Sequence, residues 1–218
     1  MKTSLALIAT VSALTTYQGL AFADDITLGI PAYGGTGCPQ GSASVTLAQG
    51  GSALSILYDR FVAEAGGTTR KRLDRKFCGL SVPIHVPSGI SVSIIKTDIR
   101  GFTAVPEGGR AQFNAEYFFA GEQGPKYTKD TFGPANEDFL ISNAILNEAV
   151  VWSPCGQDSL FRINASMLAV SNSMNEQAMA TVDSSDIAPS MLFQLQWKTC
   201  GDQNPDGEGP PLPIDLSF

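Results

Sequence analysis

Histidine is nearly absent from this chain: His85 is the single copy in 218 residues. General acid–base catalysis and metal ligation both lean on that side chain, so a histidine-based triad or a histidine-rich metal centre has almost nothing to draw on. No Gly-x-Ser-x-Gly elbow occurs either, which removes the usual setting of an activated serine. Basic residues are few, 14 Lys and Arg against 21 Asp and Glu, for a formal charge of −7. Nucleic acid demands a basic footprint, so it is not an expected partner. Cysteine pairs spaced two to four apart, the signature of a zinc site, are missing. No metal and no cofactor are expected, and no catalytic residue is assigned.

Long apolar runs are missing too. The first residues carry a short one, 5–14, behind Met1-Lys2 and ahead of Ala21-Phe22-Ala23. That is about half the roughly 20 residues a membrane helix needs. A positive start, a short apolar run and a small-x-small site make a secretory signal peptide over 1–23. The mature chain then starts at Asp24, with 13 basic and 21 acidic residues, no transmembrane segment, and a secreted destination (periplasm or cell envelope in a bacterial host). A single domain over 24–201 is expected, followed by a Pro/Gly-rich acidic tail over 202–218.

What is present points to β-structure. Ile90-Ser-Val92-Ser-Ile94, Phe161-Arg-Ile163-Asn-Ala165-Ser-Met167 and Phe193-Gln-Leu195-Gln-Trp197 alternate apolar and polar residues, the period of half-buried strands. Further strands are expected at 26–30, 43–47, 54–61, 80–86, 111–119 and 141–152. Gly/Pro turns separate them, at Gly50-Gly51, Gly66-Gly67 and Gly108-Gly109 among others. Nine or ten such strands predict an all-β antiparallel sandwich or jelly roll. Two windows, 60–65 and 136–147, are the candidate helices, and neither sustains a three-to-four spacing.

Cys38, Cys78, Cys155 and Cys200 allow three connectivities. Pairing Cys38 with Cys78 and Cys155 with Cys200 is favoured, because each bridge then closes a compact stretch of chain. Closing a loop of about 40 residues contributes on the order of 4 kcal/mol in the chain-entropy picture.

The stretch "AYGGTGCPQGS" (32–42) has the glycine content of a phosphate-binding loop but neither its spacing nor its lysine. It is expected to be a turn that a Cys38–Cys78 bridge pins to the strand beginning at "CGLSVPIHV". With "YGGTGCPQGSASV", "RKFCGLSVPIHVPSG", "DIRG" and a late "LQWKTC", nearly the whole mature chain resembles the secreted family known as domain of unknown function 4360 (DUF4360). Its most specific parts are Gly37 to Gly41 and Arg75-Lys76-x-Cys78; Phe77 stands where that family usually has Asn. The resemblance implies a small, secreted, all-β, disulfide-linked protein of fungi or bacteria, with no activity or catalytic residue to carry over.

The least ordinary surface feature is "RKRLDRK", where Arg70, Lys71, Arg72, Arg75 and Lys76 gather five of the mature chain's basic residues. Three readings compete: a solvated loop, an anion-binding patch for a cell-surface or cell-wall polysaccharide or another anionic surface, and a dibasic processing site. Asn164-Ala165-Ser166 is an N-glycosylation sequon on the exposed side of its strand. A two-carboxylate glycan hydrolase is the alternative to a non-catalytic binding or structural protein. Its candidates are Asp98, Glu116, Glu122, Asp130 and Asp158. Tyr117, Phe118, Phe119, Trp152 and Trp197 are expected in the core rather than on a sugar platform. His85, between valines, is expected to be structural. Asp202-x-Asn204-x-Asp206-Gly207 opens like a calcium loop but meets Pro213 where a bidentate Glu belongs.

Overall fold

The structure, a computed structural model, describes residues 26–145, 150–182 and 189–200. The expected signal peptide and the Asp202–Gly207 motif lie outside the described residues. Thirteen strands are seen among those described: β1 (Thr27–Leu28), β2 (Ala32–Gly34), β3 (Ala43–Leu47), β4 (Ala53–Tyr58), β5 (Val62–Ala65), β6 (Leu73–His85) and β7 (Ile90–Val105), then β8 (Arg110–Phe119), β9 (Lys126–Phe132), β10 (Ala135–Ala144), β11 (Ser159–Val170), β12 (Ala178–Thr181) and β13 (Met191–Thr199). They form two antiparallel sheets. The first runs β1-β6-β11-β8-β9, with β2 also on β6; the second runs β3-β4-β13-β7-β12-β5, with β10 also on β7. The expected sandwich is the fold.

Alternation drives it. Along β8 every second residue is buried: Ala111, Phe113, Ala115, Tyr117 and Phe119. Cys78, Leu80, Val82 and Ile84 do the same on β6, and Phe161, Ile163, Ala165 and Met167 on β11. These inner faces meet the second sheet through Phe193 of β13, edge-on to Tyr117 at 5.0 Å and to Phe161 at 5.1 Å between ring centroids. Each such pair adds about 0.5–1.5 kcal/mol beyond the area it buries.

β7 is the spine of the second sheet. One edge pairs β13 and then β12, and the other pairs β10 over ten residues. Gln194 lies opposite Lys96 and Leu195 opposite Ile94, so Ile95 is skipped as a bulge. The Ile95 carbonyl accepts the N–H of Ile145 at 2.8 Å instead.

Both favoured disulfides are formed, with Cα separations of 5.3 Å for Cys38–Cys78 and 6.0 Å for Cys155–Cys200. Of the stretch expected as a turn over 32–42, Ala32–Gly34 is strand β2 on β6 instead, and the turn begins at Gly35. The Gly37 N–H donates to the Phe77 carbonyl (2.8 Å), and the Phe77 N–H donates to Thr36 Oγ1 (3.1 Å). The loop lies so close that a Cβ on Gly35 would fall 2.1 Å from the Phe77 carbonyl oxygen.

Several elements depart from expectation. The window 60–65 contains β5 rather than a helix, because Val62–Ala65 completes a ladder with β12. The described part of the window 136–147 belongs mostly to β10; of the strand expected over 141–152, β10 covers the first four residues, 146–149 lie outside the described residues, and Trp152 makes an isolated bridge to Ser93. β9 had no apolar alternation to reveal it: the residues opposite Ala115, Phe113 and Ala111 are Tyr127, Lys129 and Thr131.

Gly101 of β7 tests this packing. A Cβ there would stand 2.3 Å from Phe139 Cζ and 2.3 Å from the Thr181 carbonyl oxygen, and the carbonyl is held in the β12 ladder. Gly101→Ala is expected to cost about 2 kcal/mol by overpacking, a fall of roughly 4–8 °C in Tm, measured by calorimetry. Replacing Cys38 and Cys78 together by Ala is expected to cost more, about 4 kcal/mol, measured by urea unfolding.

Candidate functional site

The outer face of the first sheet is built from the residues that the core alternation leaves over. Register sets them in rows across β6, β11, β8 and β9, with strands about 4.8 Å apart. One row reads Phe77, Ser166, Asn114, Thr128; the next Arg75, Leu168, Gln112, Asp130; the next Leu73, Val170, Arg110, Phe132. The polar members are joined. Thr128 Oγ1 donates to Asn114 Oδ1 (2.8 Å), Asn114 Nδ2 to Gln112 Oε1 (3.3 Å), and Gln112 Nε2 to Asp130 Oδ1 (2.8 Å). This chain of bonds fixes both amides in place. Large apolar side chains stand exposed around it: Phe132 at 68%, Leu73 at 53% and Phe77 at 46%.

The five basic residues of "RKRLDRK" do not act as one patch. A turn at 70–72 leads into β6, and strand alternation then sends Arg75 to the outer face and Lys76 to the other side. There, in a cleft of about 380 Å³ lined by Asp59, Arg60, Glu64 and Thr69 among others, Lys71 and Lys76 converge on Asp74. Lys71 Nζ lies 3.0 Å from Asp74 Oδ1 and Lys76 Nζ 3.6 Å from Oδ2, while the Glu64 N–H donates to Oδ2 at 3.2 Å. Burial pushes the Asp74 carboxyl up, but the Lys71 hydrogen bond, the Glu64 N–H and the charges of Lys76 and Lys71 together outweigh it, so its pKa lies below the usual value.

Arg70, Arg72 and Arg75 have no carboxylate within ion-pair distance among the described residues, and all three are exposed. The fold adds Arg110, two positions from Gln112 on β8. Its Nε is buried without a hydrogen-bond partner among the described residues, a costly state for a donor. In a chain of net charge −7, this corner concentrates positive charge beside an ordered set of amides.

The other candidates scatter. Glu116, on the same face, pairs with Lys126 at 3.3 Å. It sits four residues along β8 from Gln112, the partner of Asp130; that is about 13 Å of strand, wider than the 5–9.5 Å of a glycosidase pair. Asp98 is on the second sheet, held by Lys96 (3.2 Å) and Ser142 (2.5 Å). Glu122 lies in the turn after β8, where its N–H reaches the Phe119 carbonyl. His85 is exposed, its Nδ1 2.7 Å from Asp158 Oδ1. Tyr117 and Phe119 are core residues, as expected, but Phe118, Trp152 and Trp197 are only half-buried. Trp152 lies under Lys198 Nζ at 4.4 Å, and Trp197 lines a groove of about 550 Å³ with Gln49 and Thr27. Among the described residues, no group of three or more His, Cys, Asp or Glu is placed to hold a metal. No helix there is long and apolar enough to cross a membrane.

Sequence reasoning missed Arg110 and the amide ladder, because only the pairing of β11 with both β6 and β8 brings them onto one face with Arg75. Comparison with known proteins adds context. The family described as domain of unknown function (DUF4360) matches residues 24–200. A protein named "Uncharacterized secreted protein" from Arthroderma benhamiae is 28% identical over 169 residues, 77% of this chain and 69% of its own. Among solved structures, TmCBM61 in complex with beta-1,4-galactotriose aligns over 78% of this chain and 88% of its own, at 12% identity and a TM-score of 0.29; a score that low carries no argument about ligand. The protein is secreted, in keeping with its two disulfides, which belong to an oxidising compartment.

Asp74 supplies the testable point. A carboxyl whose folded pKa is depressed contributes stability that is present above its unfolded value of about 3.9 and is lost as pH falls through the folded one. Asp74→Asn is therefore expected to destabilise the protein at pH 7 by about 1 kcal/mol. Its deficit against wild type should shrink below about pH 4, read from urea unfolding across pH 3–8.

Proposed function

The chain belongs to the DUF4360 family, and we propose that it is a non-catalytic binding protein for an anionic extracellular polysaccharide. The ligand lies on the outer face of the first sheet. The observation that carries this reading is the coincidence, on one face of an acidic protein, of Arg75 and Arg110 with the hydrogen-bonded row of Asp130, Gln112, Asn114 and Thr128. Arginine presents its donors in a planar fork that matches carboxylate or sulfate oxygens two at a time. The fixed amides offer sugar hydroxyls a mixed set of donors and acceptors. Phe132 and Leu73 add exposed apolar surface for the C–H faces of a sugar ring. Arg70 and Arg72 stand at the rim and serve long-range attraction, which salt screens.

A hydrolase would need two facing carboxylates. On this face Glu116 is engaged by Lys126, and Asp130 belongs to the ladder. Lys71 and Lys76 take no part in ligand binding here, because Asp74 already holds them.

This separates two charge-matched variants. Mature protein is titrated with polygalacturonate, a sulfated polysaccharide and neutral cellulose or xylan as probes, at two salt concentrations. Arg75→Ser with Arg110→Ser is expected to weaken binding of the acidic glycans by tenfold or more, about 1.4 kcal/mol or above. Lys71→Ser with Lys76→Ser, which removes the same charge, should change it by less than about threefold. Equal losses in the two variants would mean diffuse attraction and no built site. No binding to either acidic probe would overturn the reading.

A further inference from the structure

We propose that Asn164 carries an N-linked glycan whose first sugar packs against Phe77, in the space that Gly79 leaves open. This rests on observations separate from the polysaccharide-binding corner. Asn164-Ala165-Ser166 is the only Asn-x-Ser/Thr sequence in the chain. Strand β11 turns Ile163, Ala165 and Met167 into the core and leaves Asn164 exposed. The Asn164 side chain makes no hydrogen bond among the described residues, although cross-strand partners surround it: Gly79 on β6 and Glu116 on β8. Its amide is free for substitution.

The neighbouring strand is shaped to receive what that amide would carry. Phe77 lies opposite Ser166, and Gly79 opposite Asn164. A methyl group placed on Gly79 would sit 3.4 Å from Phe77 Cζ and 3.7 Å from Asn164 Oδ1. The ring therefore leans over the glycine toward the amide, and the two side chains flank one unfilled point on the sheet. Phe77 is 46% exposed beside the polar residues of this face, and its ring stacks on no other ring among the described residues. A pyranose presents a face of C–H groups, weakly positive, and the ring presents a weakly negative π face. A sugar on Asn164 Nδ2 covers the ring, and any side chain larger than glycine at position 79 would occupy its place. The glycan leans to the β6 side, over the row that begins with Phe77 and borders the row of Arg75, Gln112 and Asp130.

The group transfer is the ordinary one for a sequon. Asn164 Nδ2 forms a bond to C1 of the first sugar of a polyprenyl-pyrophosphate oligosaccharide. The C1–O bond to pyrophosphate breaks, and one amide proton is lost as the lipid pyrophosphate departs. It takes place on the extended chain, before β11 enters the sheet.

The test is expression of the full chain in a secreting yeast, which supplies the donor. Peptide mass spectrometry reads occupancy at Asn164, and endoglycosidase trimming to a single N-acetylglucosamine prepares the protein for melting. We expect Asn164 occupied, and the trimmed protein to melt roughly 2–4 °C above Ser166→Ala, which keeps Asn164 but ends the sequon. In a Phe77→Ala background that difference should vanish. Asn164→Gln serves as a second unglycosylated reference if Ser166→Ala folds poorly. An unmodified Asn164 in the secreted, folded protein would overturn the proposal. So would an occupied site whose stabilisation survives Phe77→Ala, because the sugar would then not be resting on the ring.

Discussion

Three aromatic rings hold this sandwich together. Phe193 comes from the second sheet and meets Tyr117 and Phe161 of the first edge-on, at 5.0 and 5.1 Å. Edge-to-face contact suits the ring quadrupole, and it works only if all three strands present these residues inward. That requirement propagates. With Tyr117 and Phe161 inside, strand alternation forces Glu116, Asn114 and Gln112 outward on β8, and Arg162, Asn164 and Ser166 outward on β11. The inner packing thus dictates which side chains share the outer face, and a slip of one residue would exchange the two sets.

The same alternation sorts charge. Along "RKRLDRK", neighbours in sequence become opposites in space, so Arg75 joins the outer face while Asp74 and Lys76 turn toward the cleft beside β5. One half-buried carboxylate then accounts for two lysines and a backbone N–H. A run of five positive charges is reduced to an arginine group, which gains Arg110 from a strand more than thirty positions away. The distinction matters chemically, because the two ammonium groups are engaged by Asp74 whereas Arg70, Arg72 and Arg75 are exposed and a guanidinium can meet an anion two oxygens at a time.

The strands that read clearly in sequence are those with one wet and one dry face: the second half of β6, and β8, β11 and β13. β9 and β12 escaped notice, for different reasons. β9 is an edge strand whose inner positions include Lys129 and Thr131, so no apolar period marks it. β12 is only four residues long, Ala178–Thr181, and is recognisable only by the ladders on either side. β5 was obscured by an arginine and a glutamate in a short window. The two tryptophans were misplaced for a related reason. Volume and hydrophobicity suggested a core, but Trp197 closes a groove and Trp152 shelters beneath Lys198 at 4.4 Å. Both are half-buried, so one side of a large ring remains wet.

The amino-acid sequence alone determined the class of this protein. Alternation made it β, and loop lengths near forty favoured the disulfide pairing that the structure contains. Each of these is a local property, carried by residue type and short spacing. Tertiary structure decided everything about the candidate site: which basic residues are neutralised, that Arg110 stands beside Gln112 and Asp130, and that Phe77 leans over Gly79 toward Asn164. These depend on strand register, and register is settled by the fit of two whole sheets around Tyr117, Phe161 and Phe193, which no short stretch of sequence contains.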